Sequence, residues 1–95
     1  MIVDLLKFTI KEECAAEAAL LMRKQMKNNL SDEGCLMSNT FLSKTNPNEL
    51  FLLLGWDSQE AIDKHLETEH DKNFREALDP MLSCPPDFYA DIETD

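Results

Sequence analysis

An α+β domain whose elements run β-α-β-β-α-β around a four-stranded antiparallel sheet is the fold this sequence predicts. Three observations carry it. Apolar-rich runs at residues 2–10, 35–43 and 49–56 read as strands. Apolar residues recurring at three- and four-residue spacing over 12–30, and again beyond residue 57, read as helices. Ninety-five residues suit a single domain, spanning 1–95, since domains of about 100–150 residues are the commonest size.

Taken in order, residues 2–10 alternate Ile2, Asp4, Leu6, Phe8, Ile10 with Val3, Leu5, Lys7, Thr9, so both faces of this strand are largely apolar and both are expected to be covered. Over 12–30, Ala15, Ala18, Ala19, Met22, Met26 and Leu30 form one apolar stripe. Glu12, Glu13 and Glu17 lie in the first half of that helix and Arg23, Lys24 and Lys27 in the second, an order that complements the helix dipole. Ser31 to Gly34 break the pattern. Lys44-Thr45-Asn46-Pro47-Asn48 is a polar turn joining strands 35–43 and 49–56 into a hairpin. Leu50 to Leu54 is an unbroken apolar run, as in a strand buried on both faces. Asp57-Ser58-Gln59-Glu60 opens the next helix as a capping box led by Asp57, with Ala61, Ile62, His65 and Leu66 inward. A further helical stretch covers about 70–78, with Phe74 and Leu78 inward, and Pro80, Pro85 and Pro86 end it. Phe88 to Ile92 reads as the last strand. This is the split βαβ, ferredoxin-like plan. Its helices cover one sheet face, and the same face of a second copy is the expected cover for the other, so a homodimer is predicted.

The formal net charge of −10 argues against nucleic acid and against an anionic membrane surface as partners. With only Arg23 and Arg75 as arginines, a bidentate phosphate clamp is poorly supplied, and a small aromatic or quinone-like molecule fits the charge balance better. Two glycines exclude a glycine-rich phosphate loop. Cys14, Cys35 and Cys84 form no C-x-x-C pair, so reduced thiols in a cytoplasmic compartment are expected. Asp4 and Lys7 interrupt the start too early for a signal peptide, and no apolar run approaches the ~20 residues of a membrane span.

Several segments together carry a family resemblance: Glu33-Gly34-Cys35-Leu36, the Asn46-Pro47-Asn48 turn, Gly55-Trp56-Asp57-Ser58-Gln59-Glu60-Ala61, then His65-Leu66, His70, Phe74 and Pro85-Pro86. In order and spacing the chain resembles the antibiotic biosynthesis monooxygenase-like family over nearly its whole length. The resemblance implies a dimeric α/β barrel, with a pocket between each sheet and its helices or within the barrel. It also implies a cofactor-independent monooxygenase acting on a small phenolic or quinol-type substrate. The alternatives are a non-catalytic small-molecule-binding or stress-response dimer and an isomerase of a small carbonyl compound. The haem-degrading branch resembles a pattern whose positions fall here at Leu6, His65 and Arg75, none of which matches, so no haem is expected. No flavin and no metal are expected either, because glycine-rich loops are absent and no Cys or His pair has metal-ligand spacing.

His65 leads the candidate residues. It shares a helix side with Ala61 and Ile62, where an imidazole could take a phenolic proton; the competing role is a hydrogen-bonded packing histidine. Burial alone should lower its pKa and keep it neutral at pH 7. Trp56 is expected beside it as an aromatic wall, or as plain core. Asn39 and Phe41 are assigned to one strand face with Cys35 and Met37, and Asn39 could hold a ligand carbonyl. Leu6 and Tyr89 complete the expected substrate-binding set. Asp4 is expected near the strand end and solvated, with a base in an apolar barrel as the alternative; His70 is expected to cap a helix or face solvent, and Cys35 to be buried and inert.

Overall fold

The computed structural model describes residues 1–93. Four strands, β1 (Ile2–Thr9), β2 (Cys35–Leu42), β3 (Glu49–Trp56) and β4 (Asp87–Tyr89), form one antiparallel sheet in the order β2-β3-β1-β4. Three helices, α1 (Ala15–Leu30), α2 (Gln59–Leu66) and α3 (Glu69–Leu78), complete the ferredoxin-like α+β fold. No helix among the described residues is long and apolar enough to cross a membrane.

Strand pairing sorts the side chains into two faces. Thr40, Leu52, Leu6 and Phe88 stand in one row across the sheet, pointing to the helices. Asn39, Leu53, Leu5 and Tyr89 form the neighbouring row on the opposite face. The core lies on the helix side, where Phe8, Leu50, Leu52, Leu54 and Trp56 pack against Ala18, Met22, Ala61, Phe74 and Leu78. Helices cover only that side. On the open face Val3, Leu5, Phe51 and Leu53 are half-buried, while Phe41 and Tyr89 are about half exposed.

The helical elements depart from the sequence expectation at their ends and in their phase. Glu12–Cys14 is a 3₁₀ turn, so α1 starts later than residue 12. Its buried residues are Ala18, Met22, Gln25 and Asn29, whereas Leu30 is exposed. The buried stripe thus turns polar in its second half. It can do so because Gln25 Nε2 donates to Asn29 Oδ1 at 2.8 Å and also reaches His70 Nδ1 at 3.1 Å. Ser58, not Asp57, caps α2: its hydroxyl accepts from the Ala61 N–H. Thr68 does the same for α3. Leu66 is exposed rather than inward, although it touches the cavity described below.

The last strand is shorter than the expected 88–92. It ends at Tyr89, and Asp91 takes a positive φ of 50°. Asp4 explains the turn. It is buried, not solvated, and its Oδ1 accepts from the Asp91 N–H at 2.9 Å. A second correction concerns β2. A register shift between Cys35 and Met37 puts Cys35 opposite Trp56, so Cys35 packs against the core instead of sharing the face of Asn39 and Phe41. Burial raises the Cys35 thiol pKa; a backbone hydrogen bond from Met37 opposes the rise and the nearby Asp32 charge adds to it.

Candidate functional site

Between the sheet and α2–α3 lies a mostly apolar cavity of about 370 Å³. Leu6, Phe8, Leu52, Leu54 and Trp56 line it from the sheet, and Ile62, His65, Phe74 and Leu78 from the helices. Phe88 of β4 and Arg75 also border it. Trp56 is carried there by the end of β3, and the turn through Ser58 starts α2 so that His65 comes back over the indole. The two ring centroids are 4.7 Å apart. Three sequence-chosen residues therefore meet in one cavity: His65, Trp56 and Leu6. Asn39, Phe41 and Tyr89 do not join them, because strand alternation puts them on the open face.

His65 is held by more than packing. Nδ1 lies 2.6 Å from Asp32 Oδ2, and Nε2 lies 3.2 Å from Asp71 Oδ1. Asp32 Oδ1 in turn meets His70 Nε2 at 2.8 Å. Arg75 Nε stands 3.0 Å from Asp71 Oδ2, an ion pair too oblique to count as a hydrogen bond. His70 is thus a member of this network, not a free cap or a solvent-facing group. The chain of contacts runs from Arg75 at the cavity through His65 to His70 and Gln25 in a groove on the other side of α3.

This network reverses the expected titration of His65. Desolvation is the largest influence and lowers its pKa, as anticipated. Hydrogen bonds and charge from Asp71 and Asp32 together outweigh it, and the net shift is upward. The imidazolium is favoured, with one N–H directed to each carboxylate. No local pattern marks this pairing, because Asp32 sits in the turn after α1. That turn depends on Gly34, whose φ is +84°; a Cβ there would come within 2.5 Å of the Ala61 Cβ. Asp71 sits on α3, six residues after His65. Only its place three residues beyond the Thr68 cap, in the first turn of a helix, could have flagged it.

A ferredoxin-like domain with a partly open apolar cavity and a histidine–carboxylate cluster at its edge is the class this geometry defines. The chain belongs to the antibiotic biosynthesis monooxygenase family, whose sequence profile matches residues 1–77. It is similar to a crystal structure described as an antibiotic biosynthesis monooxygenase, with a TM-score of 0.91, 18% identity and 100% of both chains covered. A Mycobacterium tuberculosis protein superposes at a TM-score of 0.90, with 19% identity over 99% of this chain and 95% of the other. A conserved protein from Methanosarcina mazei reaches 0.87, with 24% identity over 94% of this chain and 88% of its own. At these identities the likeness is one of fold. No curated protein matches the sequence.

Proposed function

We propose that the chain is a cofactor-independent monooxygenase of a small phenolic or quinol-type aromatic, working as a homodimer. The observation that carries this reading is the placement of His65, between Asp32 and Asp71, against Trp56 at an apolar cavity. The cavity walls suit a flat, electron-rich ring and exclude water around it. The net reaction converts a phenol with a para hydrogen and one O₂ into the para-quinone and one H₂O. One oxygen atom enters the ring as the new carbonyl; the other leaves as water. His65 Nε2 and Asp71 Oδ1 share a proton, so the carboxylate takes the phenolic proton while the imidazolium stabilises the phenolate. After O₂ adds to the para carbon, the pair returns the phenolic proton to the outer oxygen; loss of the para C–H proton then forms the new carbonyl as the O–O bond breaks, and that second proton completes the departing water. His65 thus acts as a charged partner rather than the neutral base that burial alone suggests.

The dimer is supported by the open sheet face, where the row Asn39, Leu53, Leu5 and Tyr89 has no cover among the described residues. Oxygen uptake with a panel of para-unsubstituted phenols and 1-naphthols, corrected for autoxidation, tests the chemistry. Uptake should stop in His65→Ala; full uptake in that variant removes His65 from the reaction.

One observation favours a second reading, a non-catalytic binding dimer: both ring nitrogens of His65 already have partners inside the protein. That reading gains if naphthols quench the fluorescence of Trp56, the chain's only tryptophan, without oxygen uptake.

A further inference from the structure

We infer that Asp32, His65 and His70 form a binding site for a borderline divalent transition-metal ion such as zinc. This goes beyond the oxygenase reading, which uses the same side chains with protons between them. Sequence spacing hides the site: the two histidines lie on different helices, five residues apart across the break at Thr68, and the carboxylate is more than thirty residues upstream. The fold brings one ligand atom from each to within 4.8 Å of the others. Among the described residues no other group of three such side chains converges in this way.

The arrangement within the cluster is that of a ligand set. His65 Nδ1 and His70 Nε2 address the two oxygens of the same carboxylate, at 2.6 and 2.8 Å. Metal bonds of about 2.0–2.2 Å would set tetrahedral donors roughly 3.3 Å apart, so these two pairs need to open by only about 0.5–0.7 Å. Asp32 can supply that movement because it lies in a turn rather than in a helix or strand. The far nitrogen of each ring is held as well: His65 Nε2 by Asp71, and His70 Nδ1 by the Gln25 side-chain amide. Fixing the distal nitrogen of a metal-bound imidazole is what outer partners of metal sites do.

Amide orientation is set by the surrounding network. With the Gln25 and Asn29 amides both turned over, Gln25 Oε1 accepts from His70 Nδ1–H, and His70 Nε2 is free to present its lone pair to an ion beside Asp32. Two imidazoles with one carboxylate, and no thiolate among the three, suit zinc, iron, cobalt or nickel rather than magnesium or calcium. His70 is partly exposed beside its groove, which gives an ion a way in.

The test is titration of the chelator-treated full-length protein with Zn²⁺ by calorimetry and with Co²⁺ by visible absorption. One ion should bind per chain, and cobalt should show the intense visible bands of a low-coordinate nitrogen–oxygen site. Asp32→Asn and His70→Gln should each weaken zinc binding by 100-fold or more. Gln25→Ala leaves all three ligands in place and should weaken it by about 10- to 100-fold. Glu12→Gln, remote in an exposed turn, should change nothing. Absence of both heat and cobalt bands would overturn the inference, as would zinc affinity that is unchanged in Asp32→Asn and His70→Gln while circular dichroism shows them folded. None of these readouts uses oxygen, so failure here is separate from failure of the oxygenase reading.

Discussion

The two faces of the sheet are built from the same four strands and both carry large apolar side chains, yet helices cover only one of them among the described residues. On the helix side, Leu6, Leu52 and Leu54 are drawn into a core that stops short of closing and leaves a cavity beside His65. On the open side, Leu5, Phe51 and Leu53 repeat the same chemistry with nothing above them among the described residues. A strand with period-two alternation can serve a pocket on one face and a partner on the other, and each substitution then reports on only one of them.

Breaking the open face has the largest expected effect. Leu53 pairs with both Leu5 and Asn39, in the middle of that face. Leu53→Asp should turn a dimer into monomers in sedimentation velocity, because an unpaired carboxylate cannot be buried there without a large penalty. The wild-type interface should bury more than ~2,000 Å² in total. A wild-type chain that sediments as a stable folded monomer at micromolar concentration would defeat the comparison. Next in size comes the helix side. Phe74 is buried edge-on against Phe8, with centroids 6.3 Å apart, and Phe74→Ala should cost about 3–5 kcal/mol in urea unfolding without changing assembly. A change in assembly in that variant would mean that the two faces are coupled.

The third prediction concerns pH. In metal-free protein the folded-state pKa of His65 is raised above its unfolded value of about 6.5. Its stabilising contribution is therefore complete below that value and is lost as pH rises through the folded pKa. The urea midpoint should fall between pH 6 and pH 9, and Asp32→Asn should flatten that fall. A wild-type midpoint independent of pH over this range would count against the charged cluster. The smallest effect is at Ser38, whose buried hydroxyl has no partner on the helix-facing side of β2. Ser38→Ala should leave stability unchanged or raise it by up to about 1 kcal/mol, and a loss of more than that would reveal a hidden partner.

How far the sequence carried this picture depends on the range of the forces involved. The strands were legible because an apolar run such as Leu50 to Leu54 has few other places to go. The His65–Trp56 contact was legible because one short turn joins the two elements. The phase of α1 was misread since Gln25 and Asn29 are buried through partners on the same helix and on α3, and periodicity scores them as surface. Asn39, Phe41 and Tyr89 were assigned to the pocket because a strand's two faces look alike until a helix is placed over one. Asp32 and Asp71 reverse the titration of His65, and neither is marked as its partner by spacing. Contacts made by folding across thirty residues leave no local pattern.

β4 is only three residues long, and its middle residue, Phe88, is a wall of the cavity. Just beyond it the chain is tied back by Asp91 N–H to Asp4, which also lines the cavity, and by Ile92 N–H to the Val3 carbonyl at 2.8 Å. The segment through Asp91 and Ile92 and the wall of the cavity are therefore one mechanical unit. Fraying of so short an edge strand opens the cavity without moving a helix, and an occupant pressed against Phe88 holds the strand down. Amide hydrogen exchange at Asp91 and Ile92 consequently becomes a gauge of occupancy, slowing when the cavity is filled, whatever molecule fills it and whether or not it reacts.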